Sequence, residues 1–260
     1  MKASIQPKKQ LGQHFLHDDH YCQKITGALD RTGSLPVLEI GPGTGALTRF
    51  LFPELGDRYT GLEIDPRAVS ELRSRFGSGI RLIEGDFMSI PFDAWLPETE
   101  KIQVVGNLPY YITTPILFRL MEVADRLGRT VIMIQREVAE RMVSRPGSKE
   151  YGILSVRFQQ AADLKLITRV PPGAFHPPPT VDSAVLAIDW FTDPPLKPVS
   201  IRDFEITVRT AFHARRKTLR NNLQGLFGNP LPDLIDWSRR AETLTVKEFV
   251  TLSDYLTTHR

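Results

Sequence analysis

Cysteine is nearly absent from the chain, because Cys22 is the only one among 260 residues. A single thiol can form no internal disulfide, so we expect a reducing compartment, the cytoplasm. Long apolar runs are also missing, and none approaches the roughly 20 residues that span a bilayer. The first residues, MKASIQPKKQLGQHF, have no apolar stretch like that of a secretory signal. These absences predict a protein without a membrane segment.

A strong net charge is missing too, because Lys and Arg exceed Asp and Glu by only three. The excess lies at the end of the chain, where residues 198–260 hold ten Lys and Arg against seven Asp and Glu. A run without acidic residues, 209–220, and a stretch near the start each hold a basic cluster. The members are Arg209, Arg215, Arg216, Lys217 and Arg220, and Lys2, Lys8 and Lys9. Such clusters attract phosphate backbones, although most are solvated helix faces.

Short runs rich in Val, Ile and Leu alternate with helical patterns over the first 190 residues or so. The predicted strands are 36–40, 59–64, 80–83, 102–105, 131–134, 164–170 and 183–188. The predicted helices are 46–55, 66–76 and 136–143, and a further helix begins at Thr113 or Thr114. This alternation predicts an α/β fold with a parallel, doubly wound sheet.

A proline-rich break, TDPPLKP at 192–198, interrupts this pattern. Beyond it the periodicity is helical, with predicted helices at 201–212, 215–226 and 246–256. We therefore predict two domains, an α/β domain over residues 1–192 and a small all-helical domain over residues 198–260.

A glycine-rich turn, EIGPGTG at 39–45, lies between a predicted strand and a predicted helix. Gly41 and Gly43 carry no Cβ, so the backbone can approach a bound nucleoside closely. The spacing of Gly41, Gly43 and Ala46 also fits the dinucleotide fingerprint, in which a pyrophosphate sits on the helix N-terminus. Two cofactor classes therefore compete for this turn, a dinucleotide and S-adenosylmethionine.

Acidic residues near the turn favour S-adenosylmethionine. Glu39 would repel a pyrophosphate but suits a cofactor with a sulfonium and an amine. Glu63, at the end of the second strand, can accept both ribose hydroxyls, although its spacing fits either cofactor. After the third strand, Asp86 can accept the amine of the cofactor's adenine while Phe87 packs on the ring. The predicted cofactor residues are Glu39, Gly41, Gly43, Glu63, Asp86 and Phe87.

The sequence Asn107-Leu108-Pro109-Tyr110 follows the fourth strand, at the edge of a parallel sheet where ligands bind. The side-chain oxygen of Asn107 and a backbone carbonyl, that of Leu108, can accept both N–H bonds of an exocyclic adenine amine and so aim its lone pair. Pro109 fixes the turn, and Tyr110 offers a face for an extruded base. Phe175, in a proline-rich loop, would cover the other face. An ordinary turn with a packing tyrosine is the alternative.

Seven segments of the chain resemble the ribosomal RNA adenine dimethyltransferases, in particular the bacterial small-subunit branch associated with kasugamycin sensitivity. They are residues 11–16 (LGQHFL), 39–45 (EIGPGTG), 63–65 (EID), 85–86 (GD), 107–110 (NLPY), 175–183 (FHPPPTVDS) and 215–223 (RRKTLRNNL). The segments run in order over nearly the whole chain. Each is modest alone, and together they are highly specific.

The resemblance implies a Rossmann-like class I methyltransferase sheet followed by a helical RNA-binding domain. It also implies that S-adenosylmethionine is held by the residues matching His14, Leu16, Gly41, Glu63, Asp86 and Asn107. His14 stands where the family often has Asn. The implied reaction is dimethylation of the N6 amines of two adjacent adenines in a hairpin near the 3′ end of small-subunit ribosomal RNA, during subunit maturation.

The implied partner is small-subunit ribosomal RNA or a precursor particle. The predicted RNA contacts are Lys8, Lys9, Arg215, Arg216, Lys217 and Arg220. His14, His17 and His20 imitate a metal cluster, but no fourth ligand group is evident and we predict no metal. We expect a monomer.

Two other functions compete with this one. The first is methylation of an adenine amine in large-subunit RNA or in DNA, against which the match at 215–223 argues. The second is a ribosome-assembly factor with little activity, against which the intact motif at 107–110 argues.

Overall fold

The computed structural model describes residue 6 and residues 12–30, 33–96 and 101–259. The chain divides into two compact units. The first consists of Met1–Ala139 and Lys165–Trp190, and the second of Glu140–Leu164 and Phe191–Arg260. Each unit has its own cluster of buried apolar side chains.

Nine strands and nine α-helices lie within the described residues. The strands are β1 (Phe15–Leu16), β2 (Val37–Ile40), β3 (Tyr59–Glu63), β4 (Arg81–Glu84), β5 (Ile102–Asn107), β6 (Leu127–Gln135), β7 (Ala162–Val170), β8 (Phe175–His176) and β9 (Ser183–Trp190). The helices are α1 (Asp19–Gly27), α2 (Thr48–Leu55), α3 (Pro66–Phe76), α4 (Thr113–Met121), α5 (Arg136–Val143), α6 (Ile153–Ala161), α7 (Ile201–Ala211), α8 (Leu219–Phe227) and α9 (Val246–Thr258). None of these helices has the length and apolar character needed to cross a membrane.

The main sheet has seven strands in the order β4-β3-β2-β5-β6-β9-β7. The strands from β4 to β6 pair in parallel, and β9 pairs antiparallel with β6. This mostly parallel sheet with alternating helices confirms the predicted α/β fold. The strand order reverses between β2 and β5, and ligands of open α/β sheets bind at such a switch point.

The register of β2 and β5 places two sequence motifs side by side. Ile40, the last residue of β2, pairs with Gly106, the penultimate residue of β5. The glycine turn that starts at Gly41 and the motif that starts at Asn107 therefore leave the same edge of the sheet together. All four residues of β2 are buried, as expected for a central parallel strand.

Local signals explain where several helices begin and end. The Asp65 side chain accepts the backbone N–H of Arg67 and caps α3, which has Pro66 in its first turn. Thr218 caps α8 by accepting the N–H of Asn221, so this helix begins at Leu219 and the predicted start at 215 was wrong. Residues 215–217 form a turn instead.

The second unit includes residues 140–164, which our domain prediction assigned to the first domain. The helix α6 in this stretch was not predicted. Tyr151 and Val156 are fully buried in one apolar cluster with Phe204 and Phe249 from the C-terminal helices. Burial of these side chains explains why an internal stretch joins the helical unit. The chain returns to that unit at Phe191, next to the predicted linker at 192–198.

Gly106 tests the register of the sheet. A Cβ at this position would lie 2.7 Å from the backbone oxygen of Ile40, so the Gly106→Ala variant must push β5 away from β2. We expect a loss of about 1–3 kcal/mol in the free energy of unfolding, measured with urea. Gly79→Ala is the matched control, because a Cβ there meets no atom within 4 Å. Equal unfolding midpoints for the two variants would contradict the proposed close approach.

Candidate active site

A cleft of about 1060 Å³, counting the space at its open mouth, lies at the carboxyl ends of β2 and β5. Five stretches of chain form most of its wall: 12–16, 39–44, 62–64, 85–88 and 107–112. The structure brings twelve of the predicted residues into this wall. They are His14, Leu16, Glu39, Gly41, Gly43, Glu63, Asp86, Phe87, Asn107, Leu108, Pro109 and Tyr110.

The glycine turn leaves open space where a ligand can approach the backbone. Gly41 has a φ of 67°, and a Cβ built on it meets no atom within 4 Å. A hydrogen bond connects the turn to β3, because the Gly41 N–H donates to the Leu62 carbonyl at 2.9 Å. An ordinary side chain at Gly41 would be strained and would project into this open space.

Glu63 fastens the glycine turn to the end of β3. Its Oε2 accepts the backbone N–H of Gly43 at 2.8 Å, and its Oε1 accepts that of Asp65 at 2.9 Å. Burial raises the pKa of Glu63, although these hydrogen bonds oppose the shift. A carboxylate has about four acceptor sites, so Glu63 can accept a further hydrogen bond, for example from a ribose hydroxyl.

Glu39 lies beneath the turn and bonds to the protein interior. Only 1% of the residue is exposed, and its Oε2 accepts hydrogen bonds from Thr48 Oγ1 at 2.8 Å and from Tyr59 Oη at 2.7 Å. Burial raises the pKa of Glu39 to about 7. From the sequence, Glu39 is expected to be a negative charge that faces the cofactor. The structure shows that its Oε2 supports the start of α2, while the residue also lines the cleft.

Asp86 and Phe87 belong to the part of the cleft wall that follows β4. The Oδ1 of Asp86 accepts the N–H of Met88 at 2.9 Å and shapes the turn after β4. Phe87 is buried, and its ring packs against Trp95 with 5.5 Å between the ring centroids. Asp86 therefore caps this turn and also lines the cleft.

Arg119 supports this wall and was missed by the sequence analysis. Its guanidinium donates to the carbonyl of Met88 at 2.7 Å and also to that of Ile90. The same group lies 4.4 Å from the Phe92 ring centroid and 5.6 Å from that of Phe87. Arg119 belongs to α4, the helix that follows the 107–110 motif, so one side chain connects the two sides of the cleft. A single Arg on a predicted helix gives no sequence signal for this role.

The orientation of the Asn107 side chain follows from one hydrogen bond. Its Nδ2 lies 2.9 Å from the backbone oxygen of His14. A carbonyl oxygen can only accept, so the NH₂ group must face it, and Oδ1 is left to accept another hydrogen bond. The backbone on the next residue is fixed as well, because the Leu108 N–H donates to the Met133 carbonyl at 3.0 Å.

Tyr110 is held from two sides. Its Oη lies 2.5 Å from Ser183 Oγ, and its ring stacks with the imidazole of His14 at 5.8 Å between centroids. His14 Nδ1 lies 2.8 Å from the carbonyl oxygen of Pro177, so this nitrogen carries a proton. Burial raises the pKa of Tyr110, so its hydroxyl stays protonated and is no base at neutral pH. Ser183 was not predicted as a site residue.

The structure does not place Phe175 in the cleft. Only 3% of this residue is exposed, and it packs in the apolar core of the first unit with Leu16. The reason is the antiparallel pairing of β8 with β1, in which Phe175 lies opposite Leu16. Neither of these two-residue strands was predicted.

Comparisons with known proteins agree with this geometry. The sequence model described as ribosomal RNA adenine dimethylase matches residues 5–258. The chain belongs to the ribosomal RNA adenine dimethylase family.

Relatives from this family align over nearly the whole chain. The chain is 43% identical over 269 residues to ribosomal RNA small subunit methyltransferase A of Salinibacter ruber, with 100% of this chain and 88% of that protein covered. It is 41% identical over 255 residues to the protein of the same name from Chlorobium phaeobacteroides, with 96% and 94% covered.

Solved structures confirm the class I methyltransferase fold. A dimethyladenosine transferase from Plasmodium falciparum has a TM-score of 0.76 and 25% identity, with 92% of this chain and 96% of that chain covered. The 23S rRNA methyltransferase ErmE has a TM-score of 0.71 and 25% identity, with 94% and 99% covered.

The cleft of this family member fits S-adenosylmethionine, the predicted cofactor. The open space above Gly41 admits a nucleoside close to the backbone, and Glu63 and Asp86 supply acceptors at two separate points of the wall. Apolar contact is available from Leu16 and Phe87. Among the described residues, no group of three or more His, Cys, Asp or Glu side chains could hold a metal ion.

The predicted RNA contacts of this family member differ in their surroundings. Arg216, Lys217 and Arg220 are exposed. Arg215 is also exposed, but its guanidinium donates to the carbonyls of Lys149 and Tyr151 at 2.6 and 2.9 Å. It therefore has a structural role within the second unit. Lys8 and Lys9 lie outside the described residues.

The buried carboxyl of Glu39 predicts a pH dependence of stability. Its pKa rises from 4.5 to about 7 on folding, so its stabilising contribution is complete below about pH 4.5 and is lost as the pH rises through 7. Glu39→Gln removes this titration. We expect the difference in unfolding free energy, wild type minus variant, to fall by up to about 3 kcal/mol between these pH values.

Urea unfolding at a series of pH values measures this difference. Glu84→Gln, at an exposed glutamate of β4, is the matched control. A difference for Glu39→Gln that does not change with pH would show that Glu39 does not hold a proton in the folded protein.

Proposed function

We propose that this chain transfers methyl groups from S-adenosylmethionine to the N6 amines of two adjacent adenines in a hairpin near the 3′ end of small-subunit ribosomal RNA. Its role is in maturation of the small subunit. The observation that carries the proposal is the orientation of Asn107, which faces the cleft beside the glycine turn with its amide oxygen available. The family and the names of the relatives support the substrate.

The cofactor is held by the wall formed from β2, β3 and β4. Gly41 and Gly43 would allow the backbone to approach it, Glu63 would accept its ribose hydroxyls, and Asp86 would accept the amine of its adenine. His14, Leu16 and Phe87 close the wall around it. When bound, S-adenosylmethionine supplies a methyl group on a sulfonium, an electrophile that a neutral amine can attack.

The target amine is held by the 107–110 motif. Its nitrogen is a poor nucleophile while its lone pair is delocalised into the purine ring. Asn107 Oδ1 and the Leu108 carbonyl accept its two N–H bonds, which favours a pyramidal nitrogen with the lone pair directed at the methyl group. Tyr110 packs on the base. Methyl transfer would break the S–CH₃ bond and leave the donor as a neutral thioether. The alkylated amine would be acidic and would lose its proton to water, so positioning and electrostatics would supply the catalysis.

The second unit contributes RNA contacts through the exposed side chains of Arg216, Lys217 and Arg220. A hairpin loop lowers the energy needed to extrude a base, so RNA shape and phosphate contacts dominate recognition. The partner is the ribosomal RNA or a precursor of the small subunit. A cytoplasmic location and a monomeric state remain predictions from the sequence.

Methylation of large-subunit RNA is the second candidate function. It is favoured by the similarity to ErmE, whose name refers to 23S rRNA. The dimethyladenosine transferase is also 25% identical to this chain, and its name specifies no ribosomal RNA, so the fold comparison does not decide the substrate. Relatives at about 40% identity carry the small-subunit name, and they support the first function.

Removal of the Asn107 amide tests the reaction. We expect Asn107→Ala to abolish methyl transfer, because the amine loses the acceptor that aims its lone pair, while RNA binding changes little. Mass spectrometry of the methylated nucleoside and its position, on small-subunit particles, large-subunit RNA and duplex DNA, measures both activity and substrate. Turnover retained by the variant would contradict the assigned role, and a product confined to large-subunit RNA would favour the second function.

The basic turn before α8 gives a separate prediction for RNA affinity. Because the Arg215 guanidinium holds two carbonyls, the clean test replaces only Arg216 and Lys217 by Ala. We expect weaker RNA binding and a log–log salt slope that is smaller by about 1.5, since each lost phosphate contact removes roughly 0.7–0.9.

The matched control removes two exposed charges elsewhere in the second unit, at Arg202 and Lys247. Both double variants lose the same net charge. Equal salt slopes for these two variants would show that the turn at 215–217 makes no specific phosphate contact.

A further inference from the structure

Among the Phe, Tyr and Trp side chains that the structure describes, Tyr111 is the one that is exposed. Of this residue 62% is exposed, whereas the described Phe, Trp and other Tyr residues are buried or partly buried. An aromatic ring in water gives up the stabilisation that burial would supply. The other described Phe, Tyr and Trp rings are at least partly buried, whereas the Tyr111 ring lies in solvent. This ring is therefore available to bind a ligand.

The position of Tyr111 connects it to the candidate active site. It follows Tyr110 directly and belongs to the wall of the same cleft. The two tyrosines differ in burial, because Tyr110 reaches Ser183 in the sheet while Tyr111 stays in solvent at the mouth. If a base of the RNA enters the cleft beside Tyr110, the adjacent base of the RNA would lie near the Tyr111 ring.

Hydrogen bonds fix the backbone conformation around Tyr111. Residues Tyr110–Ile112 form a 3₁₀ turn, and the N–H of Ile112 donates to the Pro109 carbonyl at 3.2 Å. The hydroxyl of Thr113 donates to the same carbonyl at 2.9 Å. The ring has a close neighbour in Gly12, where an added Cβ would lie 2.9 Å from the Tyr111 Cδ1. A ring on such a support loses little conformational entropy when a second ring stacks on it.

From these observations we propose that Tyr111 stacks on the base of the nucleotide next to the target adenine. The proposal rests on the proposed function, in which two adjacent adenines are substrates, so the neighbouring base is the second adenine of the pair. Stacking suits any base, because every base has a π-face. The other exposed apolar residue of the cleft wall is Ile64, whose aliphatic side chain cannot stack in this way.

A double-mutant cycle on protein and RNA tests the proposal. The protein variants are Tyr111→Ala and Tyr111→Phe, with Leu166→Ala as a control at an exposed residue away from the cleft. The RNA hairpins carry either the intact adenine pair or an abasic site in place of one adenine, on the 5′ or the 3′ side. The measurements are RNA affinity, cofactor affinity, and methyl transfer to the remaining adenine.

On intact RNA, Tyr111→Ala should weaken binding by about ten-fold, while Tyr111→Phe and Leu166→Ala bind like the wild type. On one of the two abasic hairpins, wild type and Tyr111→Ala should bind equally, because the stacking partner is gone. Cofactor affinity should not change. The proposal is overturned if Tyr111→Ala binds intact RNA like the wild type, or weakens binding equally on all three hairpins. If the wild type methylates no adenine of the hairpin, the proposed function fails instead.

Discussion

The register between β2 and β5 decides where the groups of the cleft lie. Ile40 pairs with Gly106, and the strands approach so closely there that a Cβ on Gly106 would lie 2.7 Å from the Ile40 oxygen. The glycine turn after β2 and the Asn107 motif after β5 therefore leave the sheet as neighbours. In the proposed function one of them holds the methyl donor and the other holds the amine, so this pairing would bring both reactants within reach of each other.

Polar groups around this junction fix one another. The backbone oxygen of His14 orients the Asn107 amide, and the imidazole of His14 stacks with Tyr110. Ser183 holds the hydroxyl of that tyrosine. On the cofactor side, Glu63 binds the N–H of Gly43. Each of these proposed site groups is thus held by a second protein group, and such preorganisation lowers the reorganisation needed when substrate binds.

The choice of RNA substrate has a different physical basis from the methyl-transfer step. The cleft of the first unit can hold a donor and an adenine, but one adenine looks the same in every RNA. In the proposed function, discrimination comes from groups that contact the RNA beyond the target base, and the proposed contacts are the exposed Tyr111 ring and the basic turn of the second unit.

The sequence by itself determined the α/β fold, the glycine turn, the acids after the second and third strands and the Asn107 motif, because each is a local pattern of spacing and residue type. Tertiary structure alone decided that Phe175 is buried opposite Leu16, that Glu39 faces Thr48 and Tyr59, and that Arg119 holds the loop after β4. It also decided that residues 140–164 join the helical unit. These features depend on contacts between distant residues, and the spacing of residues along a chain carries no record of them.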